Sequence, residues 1–222
     1  MQINNYILDL DGTIINSSNE VLLCFEKAFA KANYPIDKSR LTPNVIGPPL
    51  KEIIKLITPE IPENDMQQVM ANFREIYDYD ENDISEYYSG IEEFLRQAKK
   101  DGKRLFIATF KPEKPTRRIE KQFKMDMFED IYTIDKFGKH ITKAEMIEDI
   151  LHKYNLKKEE TVMIGDASSD VIAAKQAGIK GIGVLWGYGE NKTPLIENAD
   201  IIVKNTEELK ECLNLNYQTN ST

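Results

Sequence analysis

Cysteine and histidine are scarce in this sequence, which contains two of each among its 222 residues. Cys24 and Cys212 lie far apart, and each stands among apolar residues of a predicted helix. This placement argues against a disulfide framework and favours buried thiols in a reducing compartment. His140 and His152 are not spaced with the cysteines as zinc ligands, which argues against a zinc site.

Long apolar runs and a basic N-terminal segment are also missing. No run approaches the roughly 20 apolar residues that a membrane-spanning helix needs, and Met1-Gln2-Ile3-Asn4-Asn5 lacks the basic region of a secretion signal. We therefore expect a cytoplasmic protein with no membrane partner. The 37 acidic and 29 basic residues give a net charge of −8, which argues against nucleic acid as the main partner.

The most informative stretch is Tyr6-Ile7-Leu8-Asp9-Leu10-Asp11-Gly12-Thr13, an apolar run that ends in two carboxylates, a glycine and a hydroxyl. Alternate side chains of a strand leave on the same side, so Asp9 and Asp11 are expected to lie together. Two negative charges this close repel each other unless a cation separates them or one is protonated. The pair indicates a metal site, acid–base chemistry or both, and the alternative is a pair of solvated loop aspartates.

Two patterns divide the chain. From Gly90 onward, helical periodicity alternates with short apolar strands, which predicts right-handed βαβ units and a parallel sheet. Residues from about 37 to 88 show helical periodicity, prolines and no convincing strand. We expect an α/β fold, with a Rossmann-like parallel sheet core in residues 1–15 and 86–214. A small inserted all-helical cap domain is expected in residues 16–85, and a flexible tail in residues 215–222.

Polar residues follow the predicted strands, and functional sites of parallel sheets form beyond the carboxyl ends of the strands. These strand-end residues are Asp9 and Asp11, Thr109, Asp135, and Asp166. Asp166 and Asp170 form a second acid pair, which would share one helix face if the helix began at Asp166. The alternative is an ordinary helix N-cap. Several converging carboxylates suit Mg2+, which prefers oxygen ligands.

Thr109 and Lys143 supply what a phosphate group needs, a hydroxyl donor at a strand end and a cation at a helix start. Gly12 and Thr13 are expected to present backbone N–H groups to an anion in the turn after Asp11. Lys136 and Lys139 stand in the same connection as Lys143 and remain alternatives to it.

Four segments, taken in order, resemble the four motifs of the haloacid dehalogenase-like hydrolases over nearly the whole chain. They are Asp9-Leu10-Asp11-Gly12-Thr13, Thr109, Lys143 and Gly165-Asp166-x-x-x-Asp170. The helical insertion resembles the cap of the subgroup that contains phosphoglycolate phosphatase, and Ile46-Gly47-Pro48-Pro49-Leu50 resembles the cap loop of that subgroup. Trp186-Gly187-Tyr188-Gly189 is also similar to a segment found there.

The resemblance implies a Mg2+-dependent phosphatase that hydrolyses a small phosphorylated metabolite through an aspartyl-phosphate. Asp9 would be the nucleophile and Asp11 the general acid and base. Mg2+ would be held by Asp9, the backbone carbonyl of Asp11 and Asp166, with Asp170 in its outer shell. The residues implied to hold the substrate or its phosphoryl group are Gly12, Thr13, Thr109, Lys143 and, in the cap, Gly47.

Other activities of the same core remain open. They are a phosphosugar mutase resembling beta-phosphoglucomutase, a nucleotide phosphatase or pyrophosphatase, and a receiver-type phosphoacceptor domain. The cap-sized insertion and Asp11 argue against the receiver type, because a long-lived acyl phosphate needs no general acid. Phe110 stands where the family often has Asn, a difference that concerns the substrate rather than the phosphate contact. We expect a monomer or a homodimer.

Overall fold

The computed structural model describes residues 2–79, 84–138, 141–189 and 191–218. The chain divides into two compact units. The first comprises Met1–Asn16, Glu86–Gly187 and Asn191–Thr222, and the second comprises Ser17–Ser85 and Tyr188–Glu190.

A parallel sheet forms the core of the first unit. The strands of the described residues are β1 (Asn5–Leu8), β2 (Ile15–Asn16), β3 (Glu86–Tyr87), β4 (Arg104–Ala108), β5 (Asp130–Tyr132), β6 (Thr161–Gly165), β7 (Lys180–Val184) and β8 (Ile201–Val203). Six of these strands pair in the order β5-β4-β1-β6-β7-β8, and each pair in that order is parallel. The remaining two, β2 and β3, form an antiparallel pair.

Alternate side chains of β1 enter two apolar cores, one on each face of the sheet. Tyr6 and Leu8 belong to one core and Ile7 belongs to the other, and all three side chains are buried. Burial on both faces is typical of parallel sheets, whose crossover helices cover each face. The predicted α/β fold with a Rossmann-like parallel sheet is therefore confirmed.

Helices connect the strands and supply the outer layers. Within the described residues they are α1 (Ser18–Lys31), α2 (Leu50–Ile57), α3 (Glu63–Tyr79), α4 (Ile91–Lys100), α5 (Glu113–Phe123), α6 (Lys143–Lys153), α7 (Ser168–Ala177), α8 (Thr193–Asn198) and α9 (Thr206–Gln218). The apolar faces of α4 and α9 pack into the core that contains Tyr6 and Leu8. Those of α6 and α7 pack into the core that contains Ile7.

The second unit has its own apolar core between α1, α2 and α3. The rings of Phe25 in α1 and Phe73 in α3 lie 4.3 Å apart, centroid to centroid, and Ile54 of α2 is buried in the same cluster. Tyr188 belongs to this unit, and its hydroxyl accepts a hydrogen bond from the backbone N–H of Ser17 at 2.6 Å. The described residues of this unit form helices and no strand.

The structure differs from the sequence-based expectations in several short elements. The pair β2–β3 was not expected, because two residues are too few to show the alternation that marks a strand. Helix α8 was also not expected. Helix α9 continues to Gln218, since neither glycine nor proline interrupts it, so the expected tail 215–222 begins as helix. Residues 219–222 lie outside the described residues. Within the described ranges, no helix is long and apolar enough to span a membrane.

Candidate active site

The carboxyl ends of three neighbouring strands bring the predicted site residues to one edge of the sheet. Asp9, Thr109 and Asp166 each come one residue after their strand, β1, β4 and β6 respectively. The sheet pairing continues through two of them. The backbone N–H of Asp9 donates to Ile164 O at 2.9 Å, and that of Thr109 donates to Tyr132 O at 2.9 Å. These positions are therefore set by backbone bonds of the sheet.

Three carboxylates and one ammonium group form the centre of this edge. Oxygen atoms of Asp9, Asp166 and Asp170 all lie within 4.8 Å of one another. The Nζ atom of Lys143 lies 3.1 Å from Oδ2 of Asp9 and also donates to Oδ1 of Asp170. The side chains of Lys143 and Asp170 are 2% and 0% exposed, so this ion pair is shielded from water.

The local structure of α6 places Lys143 at its first position. Thr142 accepts a bond from the backbone N–H of Glu145 at 3.2 Å, and Glu145 accepts one from the backbone N–H of Thr142 at 2.6 Å. This reciprocal capping box fixes the first turn of the helix. The lysine is consequently held at a defined helix start, as the sequence predicted.

The charges of the site shift two pKa values. Burial raises the pKa of Asp9, the ammonium of Lys143 opposes this, and the carboxylates of Asp170, Asp166 and Asp11 add to it, giving about 7. Burial lowers the pKa of Lys143, but the carboxylates of Asp170 and Asp9 outweigh that effect and hold the pKa above its ordinary value. Lys143 is thus a permanent cation beside a carboxyl group that resists ionisation when no further cation is present.

Glycines allow the chain to approach Asp166 closely. Gly12 has a φ of +80°, and a methyl group there would lie 2.3 Å from Oδ2 of Asp166. A methyl group on Gly187 would lie 2.3 Å from the Cβ of Asp166 and from the carbonyl oxygen of Gly12. Thr13 donates its hydroxyl to Oδ1 of Asp166 at 3.1 Å, and the indole of Trp186 donates to Thr13 O at 3.1 Å. This packing fixes the first motif against the fourth.

Asp170 combines both roles that the sequence left open. Helix α7 begins at Ser168, so Asp166 precedes it and the two acids do not share a helix face as expected. Oδ2 of Asp170 accepts a bond from the backbone N–H of Ala167 at 3.0 Å, which caps the helix, while Oδ1 binds Lys143. Helix capping and the acid cluster are therefore features of one side chain.

Sequence reasoning assigned no role to Lys111, yet this residue contacts a predicted catalytic side chain. Its Nζ lies 3.0 Å from Oδ1 of Asp11, and its side chain is 2% exposed. The backbone N–H of Lys111 also donates to the hydroxyl of Thr109 at 3.2 Å. Because a hydroxyl that accepts one bond still has a hydrogen to donate, Thr109 keeps its predicted chemistry. No sequence pattern marked Lys111, because its contact with Asp11 joins residues 100 positions apart.

Three other expectations need correction. The backbone N–H of Gly12 donates to Ile15 O at 2.9 Å, so it is bonded within the turn and is not presented to an anion as expected. Lys136 is bound to Asp130 at 2.5 Å and does not replace Lys143, while Lys139 lies outside the described residues. Asp135 accepts a bond from the backbone N–H of Glu113, at the start of α5. Each of these groups is satisfied by its nearest local partner.

The predicted cap residue Gly47 belongs to the second unit. It stands in the loop before α2, is exposed, and has a φ of +124° with open space where a side chain would be. Its role toward a substrate stays a prediction.

The donor set of the acid cluster fits Mg2+. All three side chains offer carboxylate oxygens, which are the ligands that Mg2+ prefers, and no sulfur or imidazole ligand belongs to the cluster found among the described residues. One lysine does not neutralise three carboxylates, and the raised pKa of Asp9 reflects that imbalance. A divalent cation would restore the charge balance and favour the ionised form of Asp9.

The family profile described as "Haloacid dehalogenase-like hydrolase" matches residues 6–184. This chain belongs to that family. Membership confirms the predicted family and the class of enzyme, a hydrolase of the phosphatase kind. It also sets aside the receiver-type alternative, because the family is one of hydrolases.

Relatives within and near the family carry different names. The chain is 31% identical over 182 residues to the pyrophosphatase PpaX of Halalkalibacterium halodurans, covering 81% of this chain and 82% of the relative. It is 29% identical over 214 residues to the tyrosine-protein kinase PtkA of Mycobacterium tuberculosis, covering 93% and 71%. The crystal structure of a predicted phosphoglycolate phosphatase from Haemophilus somnus superposes with a TM-score of 0.82, at 23% identity over 96% and 98% of the two chains. The last likeness shows the fold alone, and the names do not agree on a substrate.

Proposed function

We propose that this haloacid dehalogenase-like hydrolase is a Mg2+-dependent phosphatase that cleaves a small phosphorylated metabolite through an aspartyl-phosphate intermediate. The observation that carries the proposal is the cluster of Asp9, Asp166 and Asp170 within 4.8 Å of one another, with Lys143 bound to two of them. A carboxylate is a weak nucleophile that works on phosphorus when the electrophile is held and its charge is neutralised. The cluster supplies the carboxylate and the means of neutralisation.

The reaction proceeds in two balanced steps. In the first, a carboxylate oxygen of Asp9 bonds to phosphorus, the bond from phosphorus to the ester oxygen breaks, and the ester oxygen takes a proton from Asp11. In the second, Asp11 accepts a proton from a water molecule whose oxygen bonds to phosphorus, and the bond to Asp9 breaks. Phosphate leaves, and both aspartates return to their starting state. Lys111, 3.0 Å from Asp11, keeps that carboxyl group oriented for both transfers.

The remaining groups bind the phosphoryl oxygens and the metal. Thr109 offers a hydroxyl donor, and Lys143 offers a cation next to the nucleophile. Mg2+ would be held by Asp9 and Asp166, together with the backbone carbonyl of Asp11 that the family resemblance implies, and Asp170 would stand behind them. When bound, the metal would neutralise the negative charge of the phosphoryl oxygens.

The proposal also covers the class of substrate, the compartment and the oligomeric state. We propose a small metabolite rather than nucleic acid or a membrane component, because the chain carries a net charge of −8. We further propose a cytoplasmic enzyme that is a monomer or a homodimer. Cys24 and Cys212 lie far apart in the sequence, each in a helix, which supports thiols in a reducing compartment.

The test is phosphate release from a panel of phosphomonoesters and pyrophosphate, with Mg2+ and with a chelator. We expect release that needs Mg2+, and a loss of about 10³-fold or more for Asp9→Asn. Asp135→Asn is the matched control, because Asp135 follows β5 in the turn after the strand but accepts a bond from the start of α5. Acid quench and mass spectrometry should find the phosphoryl group on Asp9. Inert wild-type protein, or equal rates for Asp9→Asn and wild type, would overturn the proposal.

The panel also separates the phosphatase from the mutase alternative. A mutase would interconvert sugar phosphates without net release of phosphate, whereas the proposed enzyme releases one phosphate for each ester consumed. Following a hexose phosphate by both assays decides between them.

A further inference from the structure

Phe110 is a large aromatic side chain that the fold leaves in contact with solvent. Phe110 is 42% exposed, whereas its neighbours Thr109 and Lys111 are 2% and 5% exposed. Phe110 is a member of none of the three apolar clusters of the described residues. An exposed ring forfeits the stabilisation that burial of its apolar surface would bring. The exposed ring is therefore accessible to a bound molecule.

The ring lies beside the catalytic centre. Its centroid is 4.9 Å from Nζ of Lys143, and the same Nζ is 3.1 Å from Oδ2 of Asp9. One ammonium group thus contacts the proposed nucleophile and also lies over the Phe110 ring. The ring belongs to the surroundings of the reacting atoms.

A phenyl ring has no chemistry to offer a phosphate group. It carries no hydrogen-bond donor, and the electron-rich face of the ring repels anions. The part of a phosphomonoester that suits such a ring is the uncharged remainder, the alcohol that leaves. Aromatic pairs attract each other beyond what their burial of area supplies, and apolar walls with a few polar groups are typical of small-molecule sites.

We propose that Phe110 is a specificity-determining residue that favours phosphomonoesters of aromatic alcohols over those of small polar alcohols. The proposal rests on the phosphatase function proposed above and adds the chemical class of the leaving group. The competing explanation is that the ring only stabilises Lys143 through a cation–π contact. That explanation predicts the same loss for every ester when the ring is removed, because Lys143 serves the phosphoryl group that all esters share.

The experiment compares kcat/KM for phenyl phosphate and glycerol phosphate in wild type, Phe110→Ala and Phe110→Tyr, with Mg2+. For Phe110→Ala we expect kcat/KM to fall about 5- to 10-fold with phenyl phosphate, mainly through KM, and to stay within about 2-fold with glycerol phosphate. Phe110→Tyr should retain the wild-type ratio. Phe137→Ala is the matched control, since Phe137 is also exposed, at 48%, and packs on Tyr132. It should leave both values unchanged.

The outcomes separate this inference from the function on which it rests. Equal losses of Phe110→Ala on both esters, or no loss on phenyl phosphate, overturn the role of Phe110 and leave the phosphatase intact. A wild-type protein that releases phosphate from neither ester nor from any member of the wider panel overturns the proposed function, and this inference with it. Melting temperatures of all variants show whether a loss comes from unfolding instead.

Discussion

The ammonium group of Lys111 lies 3.0 Å from Oδ1 of Asp11, and the two residues are 100 positions apart in the chain. The lysine is almost completely buried, whereas the Asp11 side chain is 25% exposed. A buried cation holds its partner in one orientation more firmly than a solvated one does, because water screens the pair less. The contact therefore orients the carboxyl group to which we assign both proton transfers.

Lys111→Met should lower kcat about 10- to 100-fold and change KM little, because a misoriented Asp11 transfers protons poorly. The loss should be larger with an alkyl phosphate than with p-nitrophenyl phosphate, whose acidic leaving group needs no proton. Lys111→Arg, which keeps the charge, should recover part of the loss. Steady-state kinetics with both esters measure these effects.

Lys103→Met is the control for the cost of removing a buried lysine. Lys103 is 4% exposed in the same unit, and its Nζ donates to Ile3 O at 2.6 Å, away from the acid cluster. Lys103→Met should lower thermal stability without changing the ratio of the kcat values for the two esters. If Lys111→Met lowers kcat equally with both esters, Lys111 has a structural role and does not position Asp11.

Asp9→Asn and Asp11→Asn should separate metal binding from proton transfer. Asp9 belongs to the acid cluster, whereas only the backbone carbonyl of Asp11 is implied as a metal ligand. Asp11→Asn should therefore bind Mg2+ with nearly wild-type affinity while turning over about 10²-fold more slowly or worse. Asp9→Asn should weaken Mg2+ binding as well. Titration calorimetry measures both affinities, and an equal loss in the two variants would contradict this division of roles.

Gly187→Ala should abolish activity while most of the stability remains. The added methyl group would lie 2.3 Å from the Cβ of Asp166 and from Gly12 O, so the chain at residue 187 or the two motifs that it contacts would have to move. We expect a loss of about 10²-fold or more in kcat/KM. Phosphate release and Mg2+ titration measure the effect.

Gly102→Ala supplies the comparison for Gly187→Ala. Gly102 has a φ of +76° but open space around it, so alanine there costs about 1 kcal/mol of backbone strain and touches nothing. It should lower the melting temperature and leave kcat/KM unchanged. Activity in Gly187→Ala equal to that of Gly102→Ala would show that the edge tolerates the displacement.

The sheet could be predicted because its strands are continuous apolar runs between turn signals. Strands β4 and β6 are five-residue, largely apolar runs, whereas the two-residue strands β2 and β3 carry no periodic pattern. Tyr188 belongs to the second unit, where its hydroxyl accepts a bond from the backbone N–H of Ser17, and this tertiary contact has no sequence pattern. Longer strands can be predicted from the local sequence, whereas the two-residue strands form only because they pair with each other.

The same distinction divides the site. Asp9, Thr109 and Asp166 could be predicted because each follows a strand, and a parallel sheet gathers its strand ends at one edge. The contact of Lys111 with Asp11 could not, since a lysine after an exposed aromatic residue has no periodic or spacing signal. The hydrogen bond from the backbone N–H of Gly12 to Ile15 O could not be predicted either, because it depends on the path of the turn.

The raised pKa of Asp9 predicts that, without metal, the free energy of unfolding falls as the pH rises. Its folded pKa is about 7, chiefly because of burial, against an unfolded value near 3.9. A carboxyl group with a raised folded pKa contributes stability that is fully present below about pH 4 and is lost as the pH rises through about 7. Asp9→Asn has no such group. In chelator, its free energy of unfolding should exceed that of wild type by a margin that grows from pH 5 to pH 8, on the order of a few kcal/mol.

Urea titrations at four pH values measure this margin. Asp135→Asn should show no such margin. Saturating Mg2+ should reduce the margin of Asp9→Asn, because the cation stabilises the ionised carboxylate of the wild type. A margin that is constant across this range would mean that Asp9 ionises normally in the folded protein.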